Sequence, residues 1–350
     1  MGKLLVLIDA DALGRQRTGN ETYIRELLRE LGGRAPDLRL AAVTRHPELV
    51  PEGIEPIELQ ARHQIVRMSL QLPLLLRRLR PRVAHFQHAL PLGYSGPSVV
   101  TVHDLSFERD PGLMTLRDRL VFRMTVPRSA RRASRVIVVS EQTKRDLIEH
   151  SGVPAERIVV VPNGVGEQFR PDGPRVNGLP YALVVGSLEP RKDPLTAIEG
   201  FALLGSDELR LVFAGPDRGD GEAARAAAEQ RGLESRVEFK GHVPGDELAA
   251  LYRGAACLVF PSRDEGFGLP LLEAMASGTP VVATRAGALP EIAGDAAILV
   301  EPGNPAALAG GIERALADRE RLVAAGFDRA RQFSWTETAE RTLAVYRELL

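Results

Sequence analysis

The chain has one cysteine in 350 residues, so no internal disulfide can form. Cys257 sits in Ala-Ala-Cys-Leu-Val-Phe and reads as a small buried apolar residue, which suits a reducing, cytoplasmic setting. The seven histidines have no Cys or His partners at zinc spacing and no Asp-rich calcium loop occurs, so no tightly held metal and no resident cofactor are expected. No apolar run approaches the ~18 residues that a membrane-spanning helix needs. The apolar start, Met1 to Asp9, ends in an acidic residue and lacks a small-residue cleavage site; it reads as a first buried strand, not a signal peptide. Gly-x-Gly-x-x-Gly, internal repeats and low-complexity blocks are also missing, and the net charge is only −1. No nucleic-acid partner is expected.

The length is comfortable for two cores, and 44% hydrophobic with 26% charged residues is the composition of an ordinary globular protein. Apolar runs at Leu4–Ile8, Leu40–Val43, Val83–Phe86, Val99–Val102, Val136–Val139 and Ile158–Val161 alternate with helical stretches, the pattern of a parallel sheet covered by helices. A Pro/Gly-rich stretch from Phe169 to Pro180 interrupts it. The pattern then restarts at Tyr181–Val185 and continues through Leu209–Ala214, Val237–Phe239, Ala256–Phe260, Pro280–Ala283 and Ala297–Val300. The expectation is α/β: two doubly wound, Rossmann-like domains facing across a cleft, spanning 1–172 and 173–332, followed by one amphipathic helix over 333–350 capped by Ser334 or Thr336.

Charge is uneven along the chain. Residues 1–175 hold 27 Lys/Arg against 20 Asp/Glu, a net +7, and residues 176–350 hold 18 against 26, a net −8. Much of the excess falls at Arg77, Arg78, Arg80 and Arg82 and at Arg117, Arg119, Arg123, Arg128, Arg131, Arg132 and Arg135. Three readings stay open: a solvated helical face, weak attraction to anionic lipid headgroups, or attraction to a phosphorylated acceptor.

The most informative stretch runs from Pro261 to Val282, at a strand-to-helix junction. Glu265 falls in the loop, Pro270 suits the first helical position and Glu273 the first turn. Between them Gly266, Phe267, Gly268 and Leu269 bring backbone N–H groups and the positive end of a helix towards an anion; a diphosphate fits. Gly186-Ser187-Leu-Glu-Pro-Arg191-Lys192 also follows a strand, at the sheet edge where open α/β folds bind ligands, and its two cations could clamp that diphosphate. Gly215 and Gly241 mark two further strand-then-glycine junctions. In the first domain Arg17-Thr-Gly19-Asn20 opens a helix, with Gly19 as the close-approach residue. His103 and Asp104 end a strand within Val99-Val-Thr-Val-His-Asp-Leu-Ser-Phe107.

The spacing Glu265-x7-Glu273, the Gly-Ser-Leu-Glu-Pro-Arg-Lys string and the His-Asp-Leu-Ser-Phe string resemble retaining glycosyltransferases of family four, which have the GT-B fold, in particular their mannosyltransferase-like members. The resemblance covers nearly the whole chain and is strongest from Gly186 to Pro302. It implies metal-independent transfer of a hexose, mannose favoured, from a nucleoside-diphosphate sugar such as GDP-mannose to a glycan or polyprenyl-linked acceptor, with an α-linkage as product. It further implies that Glu265 holds a hydroxyl of the transferred sugar and Glu273 accepts from ribose hydroxyls. Backbone atoms of Val243 would contact the base, and His103 the donor sugar. Asp104 would orient His103 or the acceptor, and the last helix would cross back to the first domain. Many relatives carry Arg where this chain has Ser187, so its clamp has one charge fewer. Ser140 and Pro162-Asn163-Gly164 match as structural positions. Front-face substitution and double displacement on Glu265 both remain open, as do a nucleotide-sugar epimerase or hydrolase and a non-catalytic nucleotide-sugar binder.

Overall fold

The computed structural model describes residues 3–15, 18–61, 63–109, 116–206 and 208–350. Arg17 of the expected glycine loop, residues 110–115 and the Arg117 side chain lie outside the described residues. The chain divides into two compact units, Met1–Gly164 with Ser334–Leu350, and Val165–Phe333.

The first unit is built on seven parallel strands: β1 (Leu4–Asp9), β2 (Leu38–Thr44), β3 (Glu55–Glu58), β4 (Val83–Gln87), β5 (Ser98–Val102), β6 (Arg135–Val138) and β7 (Ile158–Val160), in the order β3-β2-β1-β4-β5-β6-β7. The order reverses between β1 and β4, which opens a crevice at the carboxyl ends of these strands. The central strands are covered on both faces, which is why they read as unbroken apolar runs. Leu7, Phe86, Val100 and Val138 meet Leu72, Leu76 and Val126 from the flanking helices in one core. Glu55-Pro-Ile-Glu58 was not anticipated as a strand; on the sheet's edge Pro56 has no ladder bond to lose.

The second unit repeats the plan with six parallel strands: β8 (Tyr181–Val185), β9 (Arg210–Ala214), β10 (Val237–Phe239), β11 (Cys257–Phe260), β12 (Val281–Thr284) and β13 (Ile298–Val300), in the order β10-β9-β8-β11-β12-β13. Here the reversal falls between β8 and β11. Leu211, Phe213, Val259 and Val282 pack with Ile198, Phe201, Leu308 and Ile312. Cys257 is fully buried in this core, where burial pushes its thiol up to about 12.

The division after Gly164 corrects the expected boundary at 172. The guanidinium of Arg253 donates to the carbonyls of Gln168 (3.2 Å), Arg170 (3.3 Å) and Pro174 (2.5 Å), and Phe169 meets Tyr252 edge-on at 5.7 Å. The Pro/Gly-rich stretch is therefore fastened to the second unit by a cation that no local pattern announces. The last helix, Trp335–Arg347, packs on the helix Thr18–Leu31 of the first unit, and Ser334 caps it by accepting from the Glu337 N–H (3.1 Å). Glycine at 164 allows that docking, because a Cβ there would stand 2.1 Å from the Trp335 nitrogen.

Candidate active site

In the second unit the chain leaves the neighbouring strands β8 and β11 on one edge, at the reversal of strand order. After β8, Gly186 (φ +144°) leads to a single 3-10 turn, Pro190–Lys192; after β11, residues 261–268 lead to the helix Leu269–Ala276. The loops are stitched together. Arg263 N–H donates to the Arg191 carbonyl (2.8 Å), and Arg263 Nε to the Asp193 carboxylate (2.9 Å), which also caps the helix Pro194–Ala202.

This stitching brings together three residues expected from the sequence. Arg191 Nη1 donates to Glu265 Oε2 at 3.0 Å and to the Asp264 carbonyl at 2.9 Å, while Lys192 Nζ bonds Glu265 Oε1. The Lys192 ammonium stands 5.0 Å from the centre of the Phe260 ring, and its stem passes Gly186, where a Cβ would lie 3.3 Å from Lys192 Cδ. Burial works to raise the Glu265 pKa, but Lys192 and then Arg191 outweigh it and hold the carboxyl below its ordinary value. Burial lowers the Lys192 pKa against the pull of Glu265. Two cations thus share one carboxylate, and an incoming polyanion would compete with Glu265 for both.

Glu273 lies in the second turn of Leu269–Ala276, not the first, because the helix begins before Pro270, which is its second residue. Its carboxylate is buried and accepts from Tyr252 Oη at 2.9 Å. Burial raises its pKa to about 7, with the Tyr252 hydrogen bond acting in the opposite direction.

The glycine loop is more restricted than expected. Pro270 carries no N–H and the Leu271 N–H returns to the Gly268 carbonyl (3.0 Å), so the helix end offers the amides of Gly268 and Leu269. Gly268 adopts φ +99°, while the side chain of Phe267 is buried edge-on against Phe333 at 5.8 Å, which leaves only its backbone for a ligand. Gly266 is buried beside Glu265. At Gly215 a Cβ would lie 1.9 Å from the Gly186 carbonyl oxygen, so the crossing of two loops itself demands glycine. Ser187 is buried at the end of β8, and Val243 is half-buried beyond the edge strand β10.

In the first unit, His103 follows β5 and is buried. Gln87 Oε1 holds its Nε2 at 2.8 Å, Tyr23 meets its ring edge-on at 4.6 Å, and the His88 ring is 5.1 Å away. Burial first, then His88, push its pKa well below the usual imidazole value, so it is neutral at physiological pH. Asp104 Oδ1 accepts from the Ser106 N–H (3.1 Å) and hydroxyl (2.8 Å). Gly19 is the second residue of Thr18–Leu31, and an added Cβ would meet nothing within 4 Å.

Sequence comparison matches residues 166–329 to the family described as Glycosyl transferases group 1, and residues 17–169 to Glycosyltransferase Family 4. The O-antigen chain mannosyltransferase B of Escherichia coli is 31% identical over 270 residues, 72% of this chain and 70% of that protein. The chain belongs to glycosyltransferase family 4. A D-inositol 3-phosphate glycosyltransferase of Acidothermus cellulolyticus is 37% identical over 241 residues, 62% of this chain; the match spans only 54% of that relative. The crystal structure of Anabaena HepE in complex with UDP and glucose superimposes with a TM-score of 0.76 at 18% identity, covering 99% of this chain and 100% of that one. The fold is GT-B, and the chain is a glycosyltransferase.

Several residues of this family 4 glycosyltransferase escaped the sequence reading. Gly287 (φ +54°) leaves room for the Glu265 carbonyl, which a Cβ would approach to 2.2 Å, and the Ala288 N–H donates to that carbonyl at 2.8 Å. A weaker signal was there: Gly287 lies three residues beyond β12, whereas Gly186 and Gly215 directly follow their strands. Tyr252, Gln87 and His88 had no such signal, although His88 is held at φ +61°, an uncommon conformation for a non-glycine residue. Arg67 is buried and bonds Asp9 through both ends of its guanidinium (2.5 and 3.1 Å).

Proposed function

We propose that the chain is a retaining, metal-independent hexosyltransferase. It moves mannose from GDP-mannose to a glycan or polyprenyl-linked acceptor, forming an α-linkage. The observation that carries this reading is the carboxylate of Glu265 held between Arg191 and Lys192 where the second sheet reverses. A departing nucleoside diphosphate gathers negative charge, and two fixed cations in a partly dry pocket stabilise it. In the front-face version, the leaving diphosphate oxygen takes the acceptor's proton while Glu265 holds a sugar hydroxyl and Glu273 the ribose. The amides of Gly266, Gly268 and Leu269 face the diphosphate; Val243, Gly215 and Ser187 line the nucleotide. His103 contacts the sugar, and Gly19 and Asp104 lie on the acceptor side.

Support for the donor class comes from the neighbour solved with UDP and glucose, and for mannose from the Escherichia coli mannosyltransferase. The test is a panel of nucleotide sugars in thermal-shift assays, followed by product analysis. GDP-mannose gives the largest rise in Tm, corresponding to a stabilisation of about 2.7 kcal/mol at a hundredfold excess over Kd, and turnover requires an acceptor. Turnover without an acceptor would support an epimerase or hydrolase instead, and a trapped glycosyl adduct on Glu265 would replace the front-face mechanism.

We also infer weak attachment to an anionic membrane surface. No helix among the described residues is long and apolar enough to cross a membrane. Yet Ile65, Leu70 and Leu74 stand exposed on the segment leading into Arg77 and Arg78, and Leu120, Val121 and Met124 on the arginine-rich helix Leu116–Arg132. Exposed Leu92 lies between them: its N–H donates to Met68 (2.9 Å), and the neighbouring Leu90 N–H to Ser129 (3.0 Å). Exposed apolar side chains on segments that also carry arginine suit an interfacial contact with anionic lipid.

A further inference from the structure

We propose that Tyr346, on the helix that ends the chain, is a positioning residue for His103, acting through a buried line of hydrogen bonds formed by His85, Thr101 and Tyr23. His85 on β4 bonds Tyr346 Oη through Nδ1 (2.6 Å) and Thr101 Oγ1 through Nε2 (2.7 Å); Thr101 Oγ1 in turn lies 3.1 Å from Tyr23 Oη. All four side chains are fully buried. Tyr23 then meets the His103 ring edge-on, 4.6 Å between centres.

The line is directional at His85. Burial pushes the His85 pKa down to about 3, so its ring is neutral and has one N–H and one lone pair. If Tyr346 donates to Nδ1, then Nε2–H donates to Thr101, whose hydroxyl can donate to Tyr23 or accept from it; if Nδ1–H donates to Tyr346, Nε2 takes the single Thr101 proton and Tyr23 must donate to Thr101. Removing one hydroxyl leaves a buried neighbour without its partner, and the line must rearrange as a unit. A packing helix alone would be served by Phe at 346, and the sheet by Val at 101. Thr101 also stands behind both imidazoles of this site. It is two residues from His103, on the same side of the chain, and its carbonyl accepts the His88 N–H at 2.9 Å. The line therefore fixes the Tyr23 ring, and the Tyr23 edge together with Gln87 fixes the plane of His103.

This inference rests on the reading that His103 touches the donor sugar, and its test separates the two. In Tyr346→Phe and Thr101→Val, kcat falls about tenfold while KM for the donor holds, Thr101→Ser restores the rate, and in a His103→Ala background Tyr346→Phe has no further effect. The readout independent of activity is NMR of the ring: Tyr346→Phe shifts the His103 imidazole resonances. Unmoved His103 resonances, unchanged kcat, or a Tyr346→Phe loss that persists in full in His103→Ala would overturn the proposal. A wild-type protein that turns over no nucleotide sugar refutes the functional reading, with the resonance shift still deciding the line. Should Thr101→Val not fold, Tyr346→Phe and Thr101→Ser decide it alone.

Discussion

The two units of this glycosyltransferase share one sheet plan and use its crevice differently. Both reverse strand order after the first strand of the unit, between β1 and β4 and between β8 and β11. The second fills the crevice with charge: Arg191, Lys192 and Glu265 in direct contact, and Glu273 buried a turn deeper. The first sets neutral rings beyond the ends of β4 and β5, because burial holds His103 and His88 uncharged beside Tyr23, and its charge at the end of β1 is spent internally between Asp9 and Arg67. Fixed charge suits a diphosphate whose charge grows during reaction, and neutral donors and acceptors suit hydroxyls. The same topology thus yields two chemistries through the residues placed at strand ends.

The largest expected effect breaks the charged half of that contrast. Lys192→Ala lowers kcat by about 10²- to 10³-fold, the usual consequence of losing one preorganised group on a developing negative charge. Glu265→Gln leaves two partly buried cations without their shared carboxylate, so the unliganded protein melts earlier while free nucleoside diphosphate stabilises it more than it does the wild type. Calorimetric melting with and without GDP measures both. If Lys192→Ala kept its rate, the charges would belong to the fold and not to the leaving group.

Glu273→Gln gives the next largest effect, and its direction depends on pH. The Glu273 pKa is raised to about 7 against an ordinary 4.5, so between those values the unfolded chain has lost a proton that the folded chain keeps. Stability from this group is therefore complete below pH 4.5, falls as pH rises to about 7, and stays lost above it. Glutamine retains an oxygen for Tyr252 and removes the titration. The variant should be more stable than wild type by on the order of 2–3 kcal/mol at pH 8 and equal to it at pH 4. It should also gain less from the donor if ribose hydroxyls bond the carboxylate. Equal melting temperatures at pH 8 would show that Glu273 ionises freely.

These residues also mark how far the sequence could be read. Central strands covered on both faces are largely apolar, so among the described residues every strand but β3 was visible as a run, the edge strand β10 through Val237 and Phe239; β3 was not, since an edge strand tolerates Glu, Pro and Glu. Arg191, Lys192 and Glu265 were each assigned to a strand end. Their mutual contact depends on β8 neighbouring β11, an adjacency that spacing along the chain does not encode. Tyr252 and Arg253 lie on a helix, Gly245–Gly254, whose pattern says only which face is buried, so neither the bond to Glu273 nor the anchoring of residues 168–174 was legible. The line from Tyr346 to Tyr23 joins residues from four distant elements and becomes visible only when they are packed.

The smallest expected effect concerns surface, and it sharpens the contrast from outside the crevices. Residues 1–175 carry a net +7 and residues 176–350 a net −8. The exposed large apolar side chains of the second unit, such as Leu203 and Leu316, are scattered, whereas those of the first concentrate on the segments around Leu70, Leu92 and Met124. If lipid is the partner, only the first unit should find it. The affinity should then have two components that can be removed separately: Arg77→Glu with Arg78→Glu abolishes the preference for anionic over neutral vesicles, and Leu70→Ser with Leu74→Ser weakens binding to both. Each exposed cation near an anionic surface contributes about 1 kcal/mol, so the double charge reversal lowers co-sedimentation by at least tenfold at low salt and by much less at high salt, where screening already removes the attraction. Wild-type protein that sediments equally with anionic and neutral vesicles would mean that these arginines are only a solvated face and that the +7 of the first half has no lipid partner.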